Sequence, residues 1–331
     1  MSKRLIDLRT QRPLLDIASF GRRGPEAKLT AEEIAYVART ARRVPEVMIK
    51  VSGGACSLQG VASHFDYIGR QGQGEIETDT GERLNERGFE RELVLDWDLD
   101  LYAHRYHTDR AVAYGRKPPK LVHNLIFSMP KGTPSDKLAA AVRTFAVNRF
   151  ALQHRYAMAL HTHQANPHVH VVVKAVSEQG IQLNIRKATL RDWRQQFATC
   201  LRQQGIEANA TERAVRAEKR TRKTDGIHRS EQRGDSTHMR ARMDAAAHLI
   251  RSGPGRSEPG KSTLLATRRQ VEGGWYAVHD LLERDGYAEV AREIRRFAAQ
   301  MQPARTEREQ IAEALSAGIS SRRKNHEPRT R

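Results

Sequence analysis

Three histidines that could share one metal ion lie within a ten-residue segment, at positions 161, 168 and 170. His168 and His170 are two residues apart in an apolar stretch, and side chains two apart on a β-strand project from the same face. His161 ends the preceding apolar stretch, so a hairpin would bring it beside them. Three neutral imidazoles would bind a first-row divalent metal and leave coordination positions open, as a Lewis acid acting on phosphate requires.

The histidine cluster is also compatible with a solvated histidine-rich loop, an adventitious metal site or structural zinc. Structural zinc normally has four protein ligands, and neither Cys56 nor Cys200 lies in a C-x-x-C pattern. The apolar strand around His168 and His170 would also hold their side chains firmly. We therefore favour a catalytic metal. For His163 we leave open a fourth ligand, a residue that orients a ligand, and an ordinary loop residue.

Charge indicates the class of partner. The 331-residue chain has a formal net charge of +18 and a pI near 10.3, which favours a polyanion such as nucleic acid over a merely basic, solvated surface. The cysteines form no disulfide framework. No apolar run approaches the ~20 residues of a membrane span, and the N-terminus lacks a signal-peptide pattern. These features predict a cytoplasmic protein with no membrane insertion.

The elements that position the histidines follow from hydrophobic periodicity. Strands are predicted at 47–51, 122–129, 156–162 and 168–176, and helices at 58–70, 134–153 and 190–204, with one more helix within 75–100. This order predicts an α+β fold, a two- or three-layer sandwich. It has an antiparallel sheet of four or five strands with helices packed on one face, and the other face is left for substrate.

We divide the chain into four segments on composition. Residues 1–45 form a basic N-terminal extension, and residues 46–210 form the domain that contains the histidines. Residues 211–260 are a basic helix or linker with few large apolar residues, and residues 261–331 are a small helical region with a basic tail. Residues 255–262 match the phosphate-binding pattern G-x4-G-K-[ST], but no buried strand precedes them, so we interpret this match as coincidence.

The spacing H-x6-H-x-H, with Pro167 before the second histidine, resembles that of the HUH endonucleases. More closely, the chain resembles the VirD-type (MobP) relaxases, which are mobilization nucleases. Gly53-Gly54 followed by residues 64–72 is similar to the tyrosine motif of that family. Residues 123–133 are similar to its strand-and-turn motif, which contains a serine and a Pro-x-Gly-Thr turn. The three motifs occur in the family's order, which makes the resemblance more specific than any one of them.

The resemblance implies a reaction. Tyr67 would attack the scissile phosphate at an origin of transfer and leave a free 3′-hydroxyl and a 5′-phosphotyrosyl adduct. His161, His168 and His170 would hold Mg²⁺ or Mn²⁺ beside that phosphate. Such a relaxase starts conjugative transfer or mobilization. Its partners would be single-stranded DNA at the origin of transfer, accessory relaxosome proteins and a type IV secretion coupling protein, and it would be translocated with the DNA.

At two positions the chain departs from the family pattern. His163 stands where the family commonly has an acidic residue, and Lys174 stands where it commonly has asparagine. We take Asp66 and His163 as candidates for supporting the metal ligands from outside the coordination sphere. Ser128, Lys174 and Arg70 are candidate contacts to DNA phosphate.

Two alternatives to a relaxase remain at this point. One is a rolling-circle replication initiator on the same fold. The other, from a different class, is a non-catalytic nucleic-acid-binding protein with a structural metal.

Overall fold

The structure is a computed structural model. It describes residues 15–21, 27–70, 74–86, 88–101, 119–164, 166–218, 230, 232–253 and 258–324. The chain divides into two compact units. The sheet unit comprises residues 1–13 and 43–210, and the helical unit comprises residues 14–42 and 211–331. The four-segment division by composition stays a prediction. Within the described ranges, no helix combines the length and the apolar character needed to cross a membrane.

Several sequence-based interpretations fall partly outside the described residues. They concern residues 1–14 and 22–26 of the N-terminal extension, residues 71–73 of the tyrosine motif, and residues 219–229 and 231 of the basic stretch. They also concern residues 254–257 of the G-x4-G-K-[ST] match and the tail from residue 325 onward. Lys261 of that match begins a helix and forms an ion pair with Glu309.

Among the described residues of the sheet unit, six strands form one sheet, and every strand pair in it is antiparallel. The predicted α+β class with an antiparallel sheet is confirmed. The strand order is β1-β4-β6-β5-β2-β3, so β6 is central and β1 lies at one edge. The strands are β1 (Met48–Gly53), β2 (Ile76–Thr78), β3 (Arg83–Leu84), β4 (Val122–Ser128), β5 (Tyr156–His161) and β6 (His168–Lys174).

The two short strands β2 and β3 differ from the sequence-based expectation of a helix alone between residues 75 and 100. They contain three and two residues, which is too short to show the alternating pattern that identifies a strand. Glu77 of β2 pairs with Met158 of β5 and forms a two-bond ion pair with Arg143. Long-range partners therefore hold β2 in the sheet.

One face of the sheet carries the larger core. Helices α5 (Ser135–Phe150) and α6 (Lys187–Gln203) pack there against the odd-numbered residues of β4 and β6. The Phe127 ring of β4 lies 5.0 Å from that of Phe145 and 5.1 Å from that of Phe197, measured between centroids. Buried aromatic pairs of this kind contribute strongly to core stability.

The opposite face carries a second layer. Helices α3 (Leu58–Ile68) and α4 (Phe89–Asp96) form a smaller apolar cluster there, in which Phe65 and Ile68 pack near Val172 of β6. The fold is thus the three-layer arrangement. Helices cover part of the sheet face that the sequence analysis predicted to be free for substrate. The run Val171-Val172-Val173, buried on both sides, is the sequence signal for a strand covered on both faces.

The helical unit has its own core. Its helices are α1 (Ile17–Phe20), α2 (Ala31–Ala41), α7 (Thr237–Ser252), α8 (Lys261–Arg284), α9 (Ala288–Ala299) and α10 (Glu307–Lys324). Thr30 and Glu33 form a capping box at the start of α2. Gly274 of α8 lies against α1 so closely that a Cβ atom would stand 1.7 Å from the Ile17 carbonyl oxygen. A side chain at residue 274 would therefore push these two helices apart.

Candidate active site

The predicted histidine hairpin is present as β5 and β6. His161 pairs with His168, and His170 pairs with Ala159, so all three imidazoles project from the sheet face that carries α3. One nitrogen from each ring lies within 4.8 Å of the others. The ring centroids of His161 and His170 are 4.5 Å apart. The structure therefore brings together the three residues that the sequence selected.

Backbone carbonyls fix two of these rings. The Nε2 of His161 donates to the carbonyl oxygen of Ile68 at 2.7 Å, and the Nδ1 of His168 donates to that of Asn166 at 3.1 Å. A carbonyl oxygen only accepts, so each of these nitrogens carries the ring hydrogen. The lone pairs then reside on Nδ1 of His161 and Nε2 of His168. Hydrogen bonds of this kind orient the histidine ligands of metal sites.

His170 has an unsatisfied nitrogen. Its Nδ1 is buried and has no hydrogen-bond partner, a situation that costs about 1–3 kcal/mol. Burial, followed by the neighbouring histidines His161 and His168, lowers the pKa of His170 to about 3. The ring is therefore neutral at physiological pH and can donate an electron pair. The donor set and its burial fit a divalent metal ion.

Tyr67 lies directly beside the triad. It is the penultimate residue of α3, its side chain is 59% exposed, and its ring centroid is 5.9 Å from that of His170 and 6.5 Å from that of His161. The sequence selected this tyrosine by motif alone. The fold places its ring where a group bound at the triad would also be within reach.

His64 is a site residue to which sequence reasoning gave no role. Its ring stacks on Tyr67 with a centroid distance of 6.0 Å and an interplanar angle of 25°, and it lies 6.4 Å from the ring of His170. Its Nε2 is buried without a partner, and burial lowers the pKa of the ring. The available signal was its position three residues before Tyr67, because residues three apart on a helix are neighbours.

Comparison with protein families identifies the segment that carries the triad. The family model described as "Relaxase: MobA/VirD2-like, nuclease domain" matches residues 98–206. Residues 98–206 are thus similar to the nuclease domain of the MobA/VirD2-like relaxases. The resemblance to the MobP relaxases of the HUH superfamily is confirmed for this segment, and the relaxase family is one of metal-dependent DNA nickases. Tyr67 and His64 precede the matched residues. No curated protein and no solved structure shows a significant match to the chain.

Two of the candidate DNA contacts lie near the histidine triad. Ser128 ends β4 directly opposite His168 and is half-buried. Arg70 follows the end of α3, is exposed, and adopts a left-handed backbone conformation with φ of 51°. Its charge is one of the smaller causes that lower the pKa of His161, after burial and the neighbouring histidines. Arg70 is therefore close enough to influence the triad.

Lys174 is placed differently. It shares a face of β6 with His170 but lies four residues further along, a separation of about 13 Å. Its side chain is buried, and its Nζ donates to Oε1 of Glu178 at 3.0 Å. The structure thus does not bring Lys174 to the histidine triad.

The two candidates for supporting the ligands also differ from each other. The exposed His163 lies 5.2 Å from the ring of His161 and 6.2 Å from that of His168, outside the group of three converging ligand atoms. Asp66 is half-buried on α3, and its side chain projects about 100° around the helix from that of Tyr67. The structure thus places His163 beside the histidine rings.

Proposed function

We propose that this protein is a site- and strand-specific DNA relaxase that nicks an origin of transfer and forms a 5′-phosphotyrosyl adduct. The observation that carries the proposal is the position of the Tyr67 ring, 5.9 Å from His170 of the convergent triad. A nucleophilic hydroxyl and a metal-binding cluster in one relaxase have the arrangement that transesterification of a phosphodiester requires.

The reaction conserves the phosphodiester bond energy. The Tyr67 oxygen attacks the scissile phosphorus and loses its proton, a new P–O bond forms to tyrosine, and the bond between phosphorus and the 3′-oxygen breaks. The leaving 3′-oxygen takes up a proton and becomes a free hydroxyl. The reverse reaction, with a 3′-hydroxyl as nucleophile, rejoins the strand and releases Tyr67.

The triad supports this reaction by holding a divalent ion, and we propose His161, His168 and His170 as its ligands. When bound, Mg²⁺ or Mn²⁺ withdraws electron density from a non-bridging phosphate oxygen and offsets the charge that develops there. The carbonyl oxygens of Ile68 and Asn166 keep two of the three rings in the required tautomer. The resulting neutral ligands leave the net charge of the ion available to the phosphate.

The face of the sheet beside the triad offers a path for single-stranded DNA. Met48 of β1, Ser128 of β4 and His168 of β6 are cross-strand neighbours in one row, and Lys50 and His170 flank Ile126 in the next. Met48 is 40% exposed and Lys50 is exposed. A base can rest on the apolar thioether while the ammonium group meets a phosphate, which is how single strands are commonly bound.

In this proposal the relaxase acts in the cytoplasm of a bacterium at the start of conjugative transfer or mobilization. Accessory relaxosome proteins would expose the single strand. A type IV secretion coupling protein would receive the adduct, and the protein would travel into the recipient cell with the DNA. These partners are proposed on the family resemblance and on the basic charge of the chain.

The test is formation of a covalent adduct. Purified protein is incubated with labelled single-stranded oligonucleotides that tile the transfer region of its own element, in Mn²⁺ or Mg²⁺, and SDS-stable adducts are resolved on a gel. We expect one oligonucleotide to react, with Tyr67→Phe inactive and Tyr276→Phe, a matched variant at another exposed tyrosine, unaffected. An adduct with Tyr67→Phe would assign the nucleophile elsewhere. DNA binding with no adduct from wild type would reject the enzyme function.

A further inference from the structure

The nucleophile proposed above is poorly restrained by the fold on its own. The Tyr67 side chain is 59% exposed and lies at the C-terminal end of α3. An exposed tyrosine can exchange between staggered rotamers. Reacting groups must, however, be held close to the attack geometry, since a displacement of about 1 Å can cost about a hundredfold in rate. Some neighbouring group must therefore restrict the Tyr67 ring.

His64 is placed to supply that restriction. It lies three residues before Tyr67 on the same helix, and its ring is nearly parallel to the Tyr67 ring at a centroid distance of 6.0 Å. The His64 ring also meets the His170 ring edge-on, with a centroid distance of 6.4 Å. The imidazole of His64 thus lies beside both the proposed nucleophile and a proposed metal ligand.

His64 is nevertheless distinct from the histidine triad. Its Nε2 has no partner and no exposure to solvent, and His64 is not part of the described group of converging ligand atoms, which consists of His161, His168 and His170. His64 is thus partly buried, while Tyr67 beside it is 59% exposed.

We infer that His64 is a positioning residue, whose ring stacks on Tyr67 and keeps the tyrosine hydroxyl over the histidine triad. The inference rests on the proposed function, because it assigns Tyr67 as the nucleophile. It predicts that the flat ring of residue 64 matters more than its nitrogen atoms.

Three substitutions separate the ring from its nitrogens. His64→Phe keeps an aromatic ring, His64→Gln keeps a polar nitrogen without a ring, and His64→Ala removes both. Ser63→Ala is the matched control, because Ser63 is the adjacent exposed residue of α3. Single-turnover adduct formation is measured at saturating DNA and Mn²⁺. The Kd for a fluorescent oligonucleotide and the Mn²⁺ midpoint are measured alongside.

We expect His64→Ala and His64→Gln to slow adduct formation about tenfold, while His64→Phe stays within about threefold of wild type. The DNA Kd and the Mn²⁺ midpoint should not change. A rate restored by glutamine but not by phenylalanine would overturn the inference, since the nitrogen would then be the active feature. A defect that disappears at higher Mn²⁺ would also overturn it, because His64 would then act on the metal.

A second measurement does not depend on nicking. With 3-fluorotyrosine incorporated at residue 67, the ¹⁹F transverse relaxation rate reports motion of that ring. We expect a narrower line in His64→Ala than in wild type or His64→Phe, and an unchanged line would overturn the inference. If wild type forms no adduct with any oligonucleotide, the proposed function fails, whereas this spectrum still decides whether His64 restrains Tyr67.

Discussion

The two faces of strand β6 have different roles in the sheet unit. Val169, Val171 and Val173 project into the aromatic core beneath α5 and α6, whereas His168 and His170 project to the opposite face. All seven residues of the strand are buried, so burial alone does not separate structural from chemical positions. The two sets of side chains differ in the bonding partners that they require. The valines need only apolar neighbours, while His170 retains a buried nitrogen without a partner.

The largest effect on the apolar face should come from removing an aromatic ring. Phe127→Ala deletes the side chain that meets both Phe145 and Phe197. We expect the free energy of unfolding to fall by about 3–5 kcal/mol, measured by urea denaturation. A loss below about 1 kcal/mol would show that this face does not carry the stability of the sheet unit.

The corresponding change on the histidine face should affect chemistry and leave stability intact. His170→Ala removes one proposed ligand, and we expect metal-dependent adduct formation to fall at least about a hundredfold, beyond the effect of losing an outer partner of a ligand. The metal-free unfolding free energy should change by less than about 1 kcal/mol, because a buried unpaired nitrogen is removed as well. Equal losses of stability and activity would contradict the assignment of stability to one face and chemistry to the other.

A smaller effect is expected at the exposed margin of the histidine face. Lys50→Ala should weaken single-stranded DNA binding severalfold and reduce the salt dependence, with the slope of log K against log salt falling by about 0.7. Fluorescence anisotropy at several salt concentrations measures both quantities. A Kd and slope equal to wild type would place the DNA elsewhere, and Lys187→Ala on α6 is the control for general charge.

The prediction with the smallest expected effect tests whether the core beneath α5 and α6 excludes solvent. Burial raises the pKa of the Cys200 thiol to about 11, so we expect iodoacetamide to modify the half-buried Cys56 much faster than Cys200 at pH 8. Both should react at similar rates in urea. Since the folded state retains this proton to higher pH than the unfolded chain, the Cys200 contribution to stability is present below pH 9 and declines towards pH 11. Fast labelling of native Cys200 would contradict a closed core.

Sequence alone was sufficient for the histidine hairpin, because alternation along β6 fixes which side chains share a face. It was not sufficient for β2 and β3. Those strands are held by pairing with β5 and by the Glu77–Arg143 ion pair, neither of which leaves a local pattern.

The same distinction applies within the candidate site. Tyr67 was found by motif, and helical spacing could have suggested His64 as its neighbour. The position of Lys174 required the structure, since only the fold shows that it pairs with Glu178 and lies apart from the triad. Local spacing thus predicts which residues share a surface, while distances between separate elements depend on packing.

The hydrogen bond from His161 to the Ile68 carbonyl has a mechanical consequence. Ile68 is the last residue of α3 and adjoins Tyr67, and the carbonyls of a final helical turn lack partners within the helix. By donating to one of them, His161 ties the tyrosine-bearing helix to the hairpin that carries the triad. A movement of α3 would therefore displace the hydroxyl of Tyr67, the proposed nucleophile, and reorient His161, a proposed metal ligand, at the same time. The two parts of the proposed reaction centre would then lose or regain their alignment together.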